Sequence, residues 1–255
     1  EYDDWAQIDA TAESTLWNGK VYGEFAGRAY FSKETAFNFS VPEAYIEFKD
    51  ENNRVSVGRQ ILNWNENENY WLLSALNPNQ GFYLLSEKKE GLAGIQYDHK
   101  ITRNLSVSLF FSYFFVPSLN PSLEISEGRV SSKSEWAKLP PSYTVLEGNT
   151  LPLYYDITMP DIYNDVLKNK SLGIRLAQTS ESKNAEVSAF VVYKPENTLV
   201  MNADARFEQA NDRVAVDASP QVNHHLYYGL QYKHQMGDVQ LVTSIDVSDP
   251  TIKFG

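Results

Sequence analysis

Residues 105–115 constrain the fold more than any other stretch, because they alternate without a break. Leu105, Val107, Leu109, Phe111, Tyr113 and Phe115 fall on one face, and Ser106, Ser108, Phe110, Ser112 and Phe114 on the other. A period of two is a strand signal, since successive strand side chains point to opposite faces. Strands in water-soluble domains usually run about 5–6 residues, whereas a tilted strand crossing a bilayer needs about 9–11. An apolar face opposite serines and two rings suits lipid on one side and water on the other. The stretch therefore predicts a transmembrane β-strand.

The same alternation recurs through most of the chain. Residues 5–13 and 20–31 predict a first pair, joined at Asn18-Gly19, where both residues tolerate positive φ. A connection near 32–41 precedes a strand at 44–49, a turn at 50–53 and a strand at 54–62. Residues 63–89 read as a long polar-aromatic loop with helical turns at 70–76. Strands at 93–99 and 105–115 follow, then a proline-rich loop at 117–169. Strands at 171–177 and 185–194, a loop at 195–223, and strands at 225–233 and 239–247 complete the pattern. The expected architecture is all-β, a single transmembrane antiparallel up-and-down barrel segment of about ten visible strands. Short turns alternate with long loops, as in bacterial outer-membrane barrels, whose turns are periplasmic and whose loops are extracellular.

Composition agrees with this and excludes other classes. No run approaches the ~18 apolar residues of a membrane helix, and alternating strands leave hydropathy low in any case. The 16 Tyr, 13 Phe and 5 Trp match the aromatic girdles of such barrels. A net charge of −11 argues against nucleic acid, which needs clustered Lys and Arg. There is no cysteine, hence no disulfide framework or thiolate chemistry. The chain starts at Glu1 without a methionine, which suggests that an N-terminal piece has been removed.

Parity assigns the inward face. Its pore-lining candidates are Lys20, Glu24, Arg28, Glu43, Glu47, Lys49, Arg54, Gln60, Gln96 and Asp98 from the first five strands. Arg175, Glu186, Lys194, Gln231, Lys233 and Asp246 come from the last four. With Asp9 and Glu13, the inward charges are eight acidic and seven basic. Taken singly, each is more often half of a structural cross-strand pair than a pore determinant; as a set they make the interior wet. Arg59 breaks parity and would face lipid at a cost of roughly 2–4 kcal/mol near the midplane. Either it snorkels from the rim, or a bulge near Gly58 turns it inward. The four histidines, His99, His224, His225 and His234, do not assemble a triad or a metal site, so no catalysis, metal or cofactor is expected.

Gly58-Arg59-Gln60, Trp64 and Leu76-Asn77-Pro78 resemble the GRQ…W…LNP pattern of the alginate-export-like and related outer-membrane porins of Gram-negative bacteria. Asn65 stands where those proteins commonly have Gly. Their strongly basic lumen differs from the balanced interior here, so the resemblance implies a substrate-conducting barrel and not alginate as its substrate. The expected function is a porin-like outer-membrane channel for small hydrophilic or amphipathic solutes, in contact with bilayer lipid and lipopolysaccharide. The alternative is a structural or adhesive barrel, plugged or filled, whose long loops bind another cell, a phage or an envelope partner; a homo-oligomer stays open in either case. Trp136, Pro140, Pro141, Tyr143, Tyr154 and Tyr155 would supply either a constriction or that recognition surface. Counting from short periplasmic turns, strand one descends and strand ten ascends. The pattern therefore expects further strands at both ends, about 14–18 in all.

Overall fold

A computed structural model describes residues 4–31, 35–71, 73, 75–80, 88–118, 123–132 and 137–249. In chain order the first strands are β1 (Asp4–Leu16), β2 (Gly19–Phe31), β3 (Thr35–Lys49) and β4 (Asn53–Gln60). After a short helix α1 (Glu66–Trp71) come β5 (Asn79–Gln80), β6 (Lys88–Lys89), β7 (Leu92–Lys100) and β8 (Leu105–Ser112). The next segment carries β9 (Glu124–Ser126), β10 (Arg129–Ser131), β11 (Tyr143–Leu146) and β12 (Asn149–Ile157), then one wide π-helical turn at Ile162–Leu167. The remainder is β13 (Ser171–Thr179), β14 (Ala185–Pro195), β15 (Val200–Glu208), β16 (Arg213–Gln221), β17 (His224–Met236) and β18 (Val239–Asp249).

Ten of these strands form one antiparallel sheet in the order β1-β2-β3-β4-β7-β8-β13-β14-β17-β18. They are the ten that alternation predicts, paired in chain order, and β1 and β18 are its edges. The alternating faces separate as expected. Ile8, Phe39, Leu172 and Ile245 are 62–81% exposed on one face, while Ser56, Gln96, Ser108 and Ser188 lie buried on the other.

Several boundaries differ from the predicted ones. The first hairpin pairs Leu16 with Gly19, so its turn is Trp17-Asn18, both at positive φ (48° and 64°), as a type I′ turn requires. Gly19 is a strand residue, and an added Cβ would come within 2.7 Å of the Phe48 ring. Most of the predicted connection at 32–41 is strand, because β3 begins at Thr35 and keeps its pairing with β2 through a register shift between Glu24 and Ala26. β8 stops at Ser112, whose Oγ accepts from Phe114 N at 3.0 Å. Phe115, predicted on the apolar face, is instead 2% exposed and donates its N–H to Leu167 O. The turn at 50–53 is present: Asp50 Oδ1 accepts from Asn52 N and Asn53 N at 2.8 and 2.6 Å. Asn53, by its side-chain amide and then its N–H, holds the Asp50 carboxyl below its ordinary range, with a further bond from Asn52.

Two of the three long segments predicted as loops, 117–169 and 195–223, contain a second sheet, in the order β11-β12-β16-β15. Its central pair, β12 and β16, is parallel and joins residues about sixty apart, Leu153 opposite Val214 and Ile157 opposite Ala218. Leu151, Val214 and Val216 form its small core. Val145 and Tyr143 are exposed, so β11 contributes an open edge.

Candidate functional site

β4 and β7 are hydrogen-bonded neighbours, Gln60 opposite Leu92, so a tight turn would suffice between them. Residues 61–91 lie there instead, and several of the described ones pack on the polar face of the large sheet. Leu62, Trp64 and Leu76 join Leu92, Phe110, Phe190, Val192 and Tyr227 in one buried apolar cluster. Trp64 is 2% exposed. A fully buried aromatic of about 150–250 Å² contributes about 4–6 kcal/mol as an upper estimate. Its ring sits on Gly173, where an added Cβ would lie 2.9 Å from the indole. Phe110, the ring on the otherwise polar face of β8, thereby acquires a partner layer.

The insertion is closed on itself. Leu62 N donates to Asn77 Oδ1 at 2.9 Å, and Asn77 Nδ2 donates to Leu62 O at 3.0 Å. Glu68 Oε1 accepts from Leu76 N at 2.7 Å and Asn77 N at 3.1 Å. Burial raises the Glu68 carboxyl above its ordinary range, against the lowering effect of the two N–H donors. Asn65 caps α1, its Oδ1 accepting from Asn67 N and Glu68 N. The helical turn therefore starts four residues before the predicted 70–76, because Asn65-x-x-Glu68 supplies the N-terminal signal.

Polar contacts tie the insertion to both margins of the sheet. Glu66 pairs with Lys233 of β17 and accepts from Gln240 Nε2 of β18 at 2.6 Å. Asn67 Nδ2 donates to Ser244 Oγ at 3.1 Å, and Gln231 donates to Asn65 Oδ1 at 3.3 Å. On the opposite side Lys88 Nζ binds Asp9 of β1 at 2.8 Å and Glu24 of β2 at 2.6 Å. Lys194 is fully buried and donates to Asn197 Oδ1, Pro195 O and Ala75 O at 2.6, 2.7 and 3.3 Å.

The remaining predicted inward residues divide into pairs and buried groups. Lys20 pairs with Glu13, Arg54 with Glu47 at 2.7 Å and Asp98 at 3.6 Å, and Arg175 with Glu186 at 2.6 Å. Gln96 Nε2 donates to both Asp98 oxygens at 3.0 Å. Glu43 accepts from Ile61 N at 2.8 Å, and Asp246 accepts from Ser244 Oγ at 2.8 Å. Arg28, Gln60 and Gln231 are 4%, 2% and 3% exposed. Gln60 accepts from Ser56 Oγ at 2.6 Å. Lys49 is exposed at the rim of a cavity of about 360 Å³ on the turn side of Trp64, lined also by Arg54, Gln96, Asp98, Ser108 and Arg175.

Arg59 is the penultimate residue of β4, and no bulge turns it inward. The β3–β4 register runs unbroken up to it and the β4–β7 register continues past it to Gln60. Gly58 adopts φ +136°, and an added Cβ there would lie 2.3 Å from Ala44 O. Arg59 reaches along the sheet to Val41 O at 2.7 Å, Gly91 O at 2.9 Å and Glu90 Oε2 at 2.5 Å. Its charge is paired within the protein, and Glu90 is 1% exposed.

Sequence reasoning missed Glu66, Asn67, Glu68, Lys88 and Glu90, because alternation assigns strand faces and is silent inside a loop. Of the loop residues named for a constriction, none of the described ones joins the buried cluster around Trp64. Tyr143 is 61% exposed, Tyr154 and Tyr155 belong to β12 of the second sheet, and Tyr155 Oη donates to Pro141 O at 2.7 Å. Pro140 and Pro141 line a separate shallow cavity with Tyr155, and Trp136 lies outside the described residues. Neither a protein-family model nor a curated protein matches this chain.

Proposed function

We propose that this chain forms part of the wall of an outer-membrane β-barrel that passes small hydrophilic or amphipathic solutes. The observation that carries the reading is the asymmetry of the large sheet. One face leaves Ile8, Phe39, Leu172, Leu230 and Ile245 exposed, while the other carries cross-strand ion pairs. Exposed apolar surface on this scale calls for an apolar environment. Aromatics gather near both ends of the apolar face: Trp17, Phe48 and Tyr232 by the turns, Tyr113 and Tyr228 toward the other end. That is the arrangement of interfacial girdles. Bilayer lipid and lipopolysaccharide are then the surrounding partners. In hydrocarbon the edges of β1 and β18 would cost several kcal/mol per unpaired backbone group, so further strands cover both, giving about 14–18 in a closed wall. The full-length protein reconstituted in planar bilayers is expected to give discrete conductance steps. Folded protein without ion flux would contradict the reading.

A filled structural barrel is the second reading, favoured by the apolar cluster around Trp64. Replacing residues 61–91 by a short turn between β4 and β7 separates the two. A channel conducts before and after the change, a filled barrel only after it.

A further inference from the structure

The inward charges are nearly balanced in number, but the fold does not leave them equally accessible. Two of the seven cations are withdrawn: Arg28 is 4% exposed and Lys194 is fully buried. All eight carboxylates stay at least partly exposed, Asp9 and Glu13 most so, while Asp246 has one oxygen packed away against Gly229. The Lys194 ammonium is further offset by three oxygen dipoles, from Asn197, Pro195 and Ala75. Of the five cations that stay accessible, Lys20, Arg54, Arg175 and Lys233 are each already paired with a carboxylate, which leaves Lys49, exposed at the cavity rim. Glu43 and Asp246, by contrast, form no ion pair among the described residues; their oxygens accept only from Ile61 N and Ser244 Oγ.

The register adds an independent sign. Glu24 stands directly opposite Glu43 on β2 and β3, an arrangement that costs stability because like charges face each other. Lys88 relieves it on one side only, reaching Glu24 and Asp9. The insertion covers the polar face of β8, β14 and β17 with apolar side chains. On β1–β3, by contrast, Asp9, Glu13, Glu24, Glu43 and Glu47 stay at least partly exposed, beside Lys20 and Lys49.

We propose that the passage is cation-preferring, selecting small cationic or zwitterionic solutes over anions. This rests on the channel reading above. Accessible carboxylates in a narrow wet pore lower the energy of a passing cation and raise that of an anion, as rings of Asp and Glu do in cation channels.

The test is the reversal potential of the reconstituted full-length protein in a tenfold KCl gradient. The expected sign is that of K⁺ preference, with a permeability ratio severalfold above one. The double variant Glu43→Gln, Asp246→Asn should bring that ratio toward unity, with folding checked by heat-modifiable gel mobility. Lys20→Gln, which removes a cation from the same wall, should move the ratio the other way. A conducting protein with zero or anion-selective reversal potential overturns the inference and leaves the channel reading standing. Folded protein that passes no current removes the channel reading and this inference with it.

Discussion

Arg59 shows how a single charge is handled by its surroundings. Strand parity places it on the apolar face, and that parity is kept. Gly58 at φ +136° lets the two backbones approach, and the guanidinium runs to two carbonyls and Glu90. Glu90→Ala strips a nearly buried partner and leaves two backbone acceptors in place. The expected loss is about 3 kcal/mol, the low end for breaking a buried pair, read as a shift in the urea midpoint of the protein in micelles. Glu13→Ala, which breaks the exposed pair with Lys20, should leave that midpoint unchanged, because water already screens both groups. An equal shift for both variants would contradict this account of Arg59. The sequence announces that Arg59 needs a solution and offers Gly58 as part of it. It hides Glu90, since that residue sits thirty-one positions away in a segment with no periodicity.

At the scale of elements, strands were legible and the insertion was not. β2, β8, β13, β14, β17 and β18 are written in alternation, and their neighbours follow because short turns force antiparallel pairing. Residues 61–91 carry no such period. Their structure comes from long-range contacts, such as Trp64 on Gly173 and Asn65 with Tyr227 and Gln231. The parallel β12–β16 pair escaped for the same reason, because nothing local reports which distant strand a loop segment will join. Within the insertion, Glu68 gives a pH prediction with a definite sign. Its folded-state pKa is raised by burial, so the stability it contributes is full below its unfolded value and falls away as pH rises through the folded one. Glu68→Gln keeps an oxygen for Leu76 N and Asn77 N and never ionises. Wild type and variant should therefore unfold alike at pH 4, with the variant more stable at pH 8. Thermal melts at the two pH values check this. A variant less stable at pH 8 would mean that the ionised carboxylate is the better acceptor and outweighs its desolvation.

For the whole molecule, one sheet presents two chemistries, and the account stands or falls on what the apolar one touches. The edges, the filled trough and the charge asymmetry gain their meaning only if that face meets lipid. The chain has no cysteine, so single labels can be placed without background. β18 is suited to them because its side chains on both faces are at least partly exposed from Val239 to Asp249. Leu241→Cys, Ile245→Cys and Val247→Cys would carry a fluorophore on the apolar face, and Gln240→Cys, Val242→Cys and Ser248→Cys on the polar one. In vesicles doped with lipid-borne nitroxide, the first three should be strongly quenched and the other three weakly. A water-soluble quencher should give the reverse, so that the signal alternates with period two along the strand. Equal quenching of both sets, or quenching of all six from water alone, would contradict a membrane-spanning wall.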